Sequence, residues 1–335
     1  MNKKTILLHP ADEQGCGNYR VIQRGVMWNT HYAPTNDFFC KQSFHYLNRE
    51  TLLTENVKIA FYQRQNTVEQ VKHIEFYKDM GIRLINDTDD LLWKIPPSNP
   101  VKSAYGVEAV KSLKRSMQLA DINTASTIPL AQEIKRFSGN SSIVIPNFVF
   151  PNFFVKEPKR RLPDKKFVVV WAGSQTHDED LSPLFQVAAE MNDIEFRIIG
   201  YKPKGFREVS NIVYVSGVSF VDYDALLKIA TADASLALAP LHPSLFNECK
   251  SNLKLLEYGS QGLPVISSDI YPYQDNPYRV EWNKKQWKKW VDLIRFFKDN
   301  EEERFKAAEA SLAYARKFAA DHPDNLQQLK NLFSL

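Results

Sequence analysis

Short apolar runs recur along this chain with helical stretches between them, and they fall into two series. The first is Ile6–Leu8, Val57–Tyr62, Ile82–Ile85, Ile122–Asn123 and Ser142–Ile145. The second is Phe167–Trp171, Phe196–Ile199, Ile212–Tyr214, Leu236–Ala239 and Val265–Ser267. Strands buried on both faces read as unbroken apolar runs, and parallel strands need a crossover between them, ordinarily a helix. Each series therefore predicts a doubly wound α/β domain. Between them lies VKEPKRRLPDKK, residues 155–166, with prolines, six basic and two acidic residues and no apolar periodicity, which reads as a linker. The expected layout is an N-terminal domain over 1–155, a linker over 156–166 and a C-terminal domain over 167–318. A last segment, 319–335, carries the helix Asp324–Phe333 back to the first domain. Ligands of such sheets bind at the carboxyl ends of the strands, here in a cleft between the domains.

The bulk numbers bound the class. At 335 residues, 44% hydrophobic and 24% charged, the chain has the composition of a soluble globular protein of two domains. It has no apolar run of about 18 residues that could span a bilayer. The apolar core of MNKKTILLHPADEQ is too short for a signal peptide, and ILLH reads as a first buried strand. Cys16, Cys40 and Cys249 are odd in number and widely spaced, which fits neither a disulfide framework nor a zinc pattern and implies a reducing cytoplasm. A net charge of +4 is compatible with an anionic substrate without requiring one.

The stretch with most chemical content is PLHPSLFNECKSNLKLLEYGSQGLPVISSD, residues 240–269. A helix through it puts Lys250, Lys254 and Glu257 on one face and sends Leu253 and Leu256 to another. Gly259, Gly262 and Pro264 then end the helix before the next strand. A helix N-terminus prefers carboxylates, so two lysines in its first turns are misplaced unless an anion sits there too. Free N–H groups, two ammonium groups and the Ser251 hydroxyl together describe a phosphate or diphosphate site. Glu257 would then accept from sugar hydroxyls. The same spacing also describes an ordinary solvated helix face.

Other constellations lie at predicted strand ends. Gly15 and Gly17 in ADEQGCGNYRV let the backbone turn tightly and approach a ligand, although the third glycine of a dinucleotide fingerprint is missing. Asp87, Asp89 and Asp90 in NDTDDLLW repel one another unless cations or hydroxyls are near. They read either as an N-cap cluster or as acceptors for sugar hydroxyls, and metal binding is discounted. Gly173 and Ser174 in AGSQTHDEDL offer close approach and neutral polar contacts, with His177 either a contact or a cap. A short helix is signalled after Ser126–Thr127.

Taken together, these segments resemble a GT-B glycosyltransferase, similar to the retaining family-four (group 1) type and its bacterial and phage relatives. ADINTASTIPLAQEI followed by VIPNFV resembles the end of the acceptor domain, and FVVVWAGS the first strand of the donor domain. ALLKIATADASLALAPL followed by KSNLKLLEYGSQGLPVISSD resembles the donor-nucleotide region and is the most specific part. The resemblance implies two Rossmann-like domains facing a cleft. It also implies that Glu257 holds the nucleotide ribose, that Lys250–Ser251 faces the diphosphate, and that the Gly15–Gly17 loop faces it from the other domain. The family's E-x7-E spacing is broken, since Cys249 stands eight before Glu257 and Glu248 is one residue off. The family's Arg and Lys pair after the first donor strand is missing as well, and Lys250 and Lys254 are the candidates to replace its charge.

The reaction so implied moves a sugar from a nucleotide-diphosphate sugar, UDP-sugar by preference, to a hydroxyl acceptor. It would retain configuration, need no metal or further cofactor, and neutralise the leaving diphosphate with Lys250, Lys254 and helix N–H groups. An inverting reaction would instead need a base, for which Asp87, Asp89 and Asp12 are the candidates. The acceptor is a glycan, a small molecule or hydroxymethylated DNA, whose phosphates the basic linker and KKQWKK (284–289) could meet. A nucleotide-sugar epimerase and a binding module without turnover are the remaining alternatives.

Overall fold

The computed structural model describes residues 3–158, 160, 165–203, 209–283, 285 and 287–334. The linker and KKQWKK thus lie partly outside the described residues. Strands Lys4–His9 (β1), Phe38–Gln42 (β2), Val57–Gln63 (β3), Arg83–Thr88 (β4), Ile122–Ala125 (β5) and Ser142–Val144 (β6) form one six-stranded sheet in the order β2-β1-β3-β4-β5-β6. Strands Val168–Ala172 (β7), Glu195–Gly200 (β8), Ile212–Ser216 (β9), Leu236–Ala239 (β10), Val265–Ser268 (β11) and Arg279–Val280 (β12) form a second, in the order β12-β11-β10-β7-β8-β9. Every pairing is parallel. Two doubly wound parallel sheets are what the alternating apolar runs predict.

The runs are apolar because these strands are covered on both faces. Ile6, Leu7, Phe61, Leu84, Val170 and Ile266 are all fully or almost fully buried. Two strands lie outside the predicted series, and both are sheet edges. β2 is half exposed and carries Lys41 and Gln42, while β12 is a pair of residues, so neither offers an apolar run. The expected helix after Ser126–Thr127 is Ile128–Ser138. Its N-cap Thr127 accepts from Leu130 N, and Gly139 closes it with φ 87°.

Each sheet reverses its strand order at one place, between β1 and β3 in the first and between β7 and β10 in the second. Crossovers leave in opposite directions there, which opens a crevice at the strands' carboxyl ends. The final helix, Pro323–Ser334, packs Leu329, Leu332 and Phe333 into the first sheet's core with Ile6, Leu8 and Trp28. The chain therefore crosses between the sheets twice. The crossings touch: Val149 N donates to Phe318 O at 2.9 Å, and Ala320 N donates to Val149 O at 2.9 Å.

Candidate functional site

A cleft of about 540 Å³ lies where the two crevices face each other. From the first sheet it receives the turn after β1 and the ends of β3 and β4. From the second it receives the turn after β7 and the segment after β10.

The turn after β1 is shaped by Asp12, whose Oδ1 accepts from Gln14 N (2.9 Å) and Gly17 N (3.2 Å). A Cβ at Gly17 would lie 1.8 Å from the Asp12 carbonyl oxygen, so only glycine permits this turn. Gly15 lines the cleft, whereas Gly17 is buried behind it. A wider π-helical turn follows over Asn18–Ile22 and sends Tyr19 and Arg20 inward.

Arg20 grips Asp87 with two hydrogen bonds, Nε to Oδ2 at 3.0 Å and Nη2 to Oδ1 at 2.7 Å, and both residues are buried. Thr124 donates to the same carboxylate at 2.6 Å. Arg64, at the end of β3, holds Asp89 at 2.9 and 2.7 Å and Asp90 at 3.1 Å. The three aspartates therefore neither cap a helix nor offer a free cluster to a sugar; two arginines occupy them. Asp89 and Asp90 line the cleft, and Asp87 does not. Burial works against ionising Asp89, but the Arg64 guanidinium outweighs it and holds the carboxyl below its ordinary range. Among the described residues, no group of three or more His, Cys, Asp or Glu is placed to hold a metal ion.

The opposite wall departs from the expected continuous helix. Leu245–Glu248 is one short helix and Leu253–Ser260 another, so Lys250 and Ser251 sit in the turn between them. The break frees the Cys249 carbonyl, which accepts from Thr127 Oγ1 of the first domain at 2.8 Å. It also puts the Ser251 hydroxyl within 2.8 Å of Asn147 Nδ2, whose own oxygen accepts from Arg20 at 3.1 Å. Lys254 remains in the first turn of the second helix, a turn that holds no acidic residue.

Lys250 Nζ lies 3.7 Å from Asp90 Oδ1, and Lys254 Nζ lies 3.4 Å from Glu257 Oε2. Glu257 is only 3% exposed. Its Oε1 accepts from Tyr19 OH at 2.9 Å and its Oε2 from Tyr223 OH at 3.2 Å. Burial and the adjacent Glu257 charge push both phenols well above their ordinary pKa, so both remain donors. Gly173 and Ser174 line the cleft beside them, and a Cβ on Gly173 would strike the Trp171 ring at 2.6 Å. His177 also lines the cleft, with its Nδ1 2.7 Å from Asp180 Oδ2. Burial, reinforced by Lys250 and Lys254, lowers its pKa and favours the neutral ring.

The structure thus brings together Gly15, Asp89, Asp90, Gly173, Ser174, Lys250, Ser251, Lys254 and Glu257 around one cleft. Gly17 and Asp87 stand behind its wall, and Asp12 shapes the turn from the far side. Sequence reasoning passed over Arg64, Asn147 and Tyr223 and gave Arg20 no partner. A guanidinium at the carboxyl end of an apolar strand was a legible signal for Arg64; Tyr223 had none.

No protein-family model matches the chain, and no curated protein does. Solved structures do. Sucrose-phosphate synthase from Thermosynechococcus elongatus is 10% identical, with a TM-score of 0.71 over 100% of this chain and 98% of that one. The lipopolysaccharide outer core galactosyltransferase WaaB is 15% identical, with a TM-score of 0.58 over 99% of both chains. A UDP-forming trehalose-phosphate synthase from Burkholderia xenovorans is 12% identical, with a TM-score of 0.55 over 85% of this chain and 75% of that one. The fold is GT-B.

Proposed function

We propose that the protein is a glycosyltransferase that moves a sugar from a nucleotide-diphosphate sugar to a hydroxyl acceptor. The observation that carries the reading is the wall formed by Lys250, Ser251, Lys254 and Glu257 facing the Gln14–Cys16 turn across the 540 Å³ cleft. Two ammonium groups and backbone N–H groups suit a diphosphate, and a buried carboxylate within reach suits ribose hydroxyls. A structure sharing the fold is UDP-forming by name, which supports UDP as the nucleotide.

The step breaks the bond from sugar C1 to the diphosphate oxygen and forms one from C1 to the acceptor oxygen. The acceptor proton passes to the departing diphosphate, whose negative charge the lysines stabilise as it develops. Retention and metal independence follow from that arrangement as part of the proposal: the phosphate is the base and the lysines are the counter-charge. Asp89 suits the role of base poorly, because Arg64 stabilises its ionised form.

Thermal unfolding with a panel of nucleotide-sugars tests the donor, since a ligand at a hundred times its Kd stabilises the native state by about 2.7 kcal/mol. A UDP-sugar is expected to raise Tm, and NMR of the product to show a retained anomeric configuration. Stabilisation by none of them overturns the reading. Epimerised donor recovered without any acceptor replaces transferase by epimerase, and steeply salt-dependent duplex binding favours DNA as the acceptor.

A further inference from the structure

A second cavity of about 230 Å³ opens at the carboxyl ends of β1 and β3, the place where the first sheet reverses its strand order. It adjoins the donor cleft. Arg64 lines both, and the turn from Asp12 to Cys16 separates them, with Asp12 on the cavity side and Gln14, Gly15 and Cys16 on the cleft side.

The lining is polar with no spare charge. Arg64 is its one arginine or lysine, and that guanidinium is committed to Asp89 and Asp90. Asp12 is its one carboxylate, and it is held by the N–H groups of Gln14 and Gly17 and by the Cys16 thiol. His9 is held neutral by burial, with its pKa lowered to about 4, and Nδ1 lies 2.8 Å from Ser43 O. The remaining polar side chains are amides and hydroxyls: Ser43, Gln63, Asn66, Gln70 and Tyr105, with Tyr46 and Gln65 hydrogen-bonded to each other. Such groups both donate and accept, which is what a ring bearing several hydroxyls requires.

Two donors of the lining go unused, the accessible hydroxyl of Tyr105 and the buried amide of Gln63. Tyr105 is 8% exposed and packs its ring among Leu91, Leu92 and Leu113, yet its hydroxyl has no hydrogen-bond partner among the described residues. Gln63 is 1% exposed, and its Nε2 also lacks a partner among them. Unmet buried donors are costly and rare unless a ligand or water meets them. The volume falls just below the roughly 300–1,000 Å³ of pockets for drug-sized ligands, which suits a single ring rather than a polymer.

We propose that this cavity is the acceptor subsite and that it takes one uncharged sugar ring, with Tyr105 OH as a direct contact. The proposal rests on the transferase reading. A phosphorylated sugar is disfavoured there, because its dianion would find no free cation in the lining.

The test is titration of the full chain, with UDP present, against glucose, galactose, N-acetylglucosamine and glucose 6-phosphate, followed by saturation-transfer NMR. At least one neutral sugar is expected to bind more tightly than glucose 6-phosphate. Tyr105→Phe keeps the ring and its packing, and is expected to weaken that sugar about tenfold with UDP affinity unchanged. Asn66→Ala, at a half-buried position, provides a second variant, and retained UDP binding shows that each variant is folded. Tighter binding of glucose 6-phosphate, binding of no neutral sugar, or indifference to both substitutions overturns the subsite. Wild-type protein that binds a neutral sugar but no UDP leaves the subsite standing and overturns the donor reading instead.

Discussion

The Tyr19 hydroxyl and the Glu257 carboxylate are 238 positions apart in sequence and 2.9 Å apart in space, and each comes from a different side of the cleft. Tyr19 has left its own sheet to pack in the second domain's core near Phe153 and Leu256. A ribose hydroxyl reaching Glu257 would compete with a phenol already there. Tyr19→Phe removes that competitor and is expected to tighten UDP binding about three- to tenfold, while lowering unfolding free energy by about 1 kcal/mol. Calorimetric titration and urea denaturation read the two effects separately. Unchanged or weaker UDP binding means that the ribose does not use this carboxylate.

Lys250 and Lys254 are mostly covered, so their charges are poorly screened where an anion would lie between them. Reversing either, by Lys250→Glu or Lys254→Glu, is expected to weaken UDP by about tenfold or more and to flatten its salt dependence. Equal affinity in wild type and both variants would place the diphosphate elsewhere.

Arg20 and Asp87 form a buried pair joined by two hydrogen bonds, and Arg20 also donates to Ile145 O and Asn147 Oδ1. Removing Asp87 strands the Arg20 charge, and removing Arg20 leaves Asp87 only the cation of Arg24, whose Nη1 is 4.0 Å away. Arg20→Ala or Asp87→Ala is therefore expected to cost about 3–5 kcal/mol in urea unfolding. A loss below about 1 kcal/mol would show that water reaches the pair.

His9 is 3% exposed, and burial lowers its pKa from 6.5 to about 4. The unfolded chain thus takes up a proton near pH 6.5 that the folded chain refuses until about pH 4. Stability from this residue is full at neutral pH and falls as pH drops through that window, by about 2 kcal/mol between pH 7 and pH 5. Urea midpoints at the two pH values should converge in His9→Gln by that amount. A pH dependence identical to wild type would assign the loss to other groups.

Much of this was legible in the chain. Unbroken runs such as VVVWA announce strands covered on both faces, and Thr127 followed by Pro129 announces a helix start. The lysines stood out because their charges contradict the helix end on which they lie, and Glu257 because it shares their face. The rest depends on contacts that no local pattern encodes. Helical spacing runs without interruption through NECKSNLKLLE, so the break at Lys250–Ser251 shows only once Thr127 and Asn147 reach across to claim its free groups. The aspartates at the end of β4 and just beyond it looked like a free acidic cluster because Arg20 and Arg64, which neutralise them, enter from other strand ends. Tyr223 lies 34 residues from the carboxylate it touches, on a helix with no distinguishing signal.

The two chain crossings, bonded to each other between Val149 and both Phe318 and Ala320, have a mechanical consequence. One tether would let the lobes swivel freely, like a ball in a socket. Two tethers side by side behave as the leaves of a door hinge and leave chiefly one axis of rotation. Opening and closing then follow a single track, and each closure returns Tyr19 to Glu257 and Thr127 to Cys249 without a search over orientations.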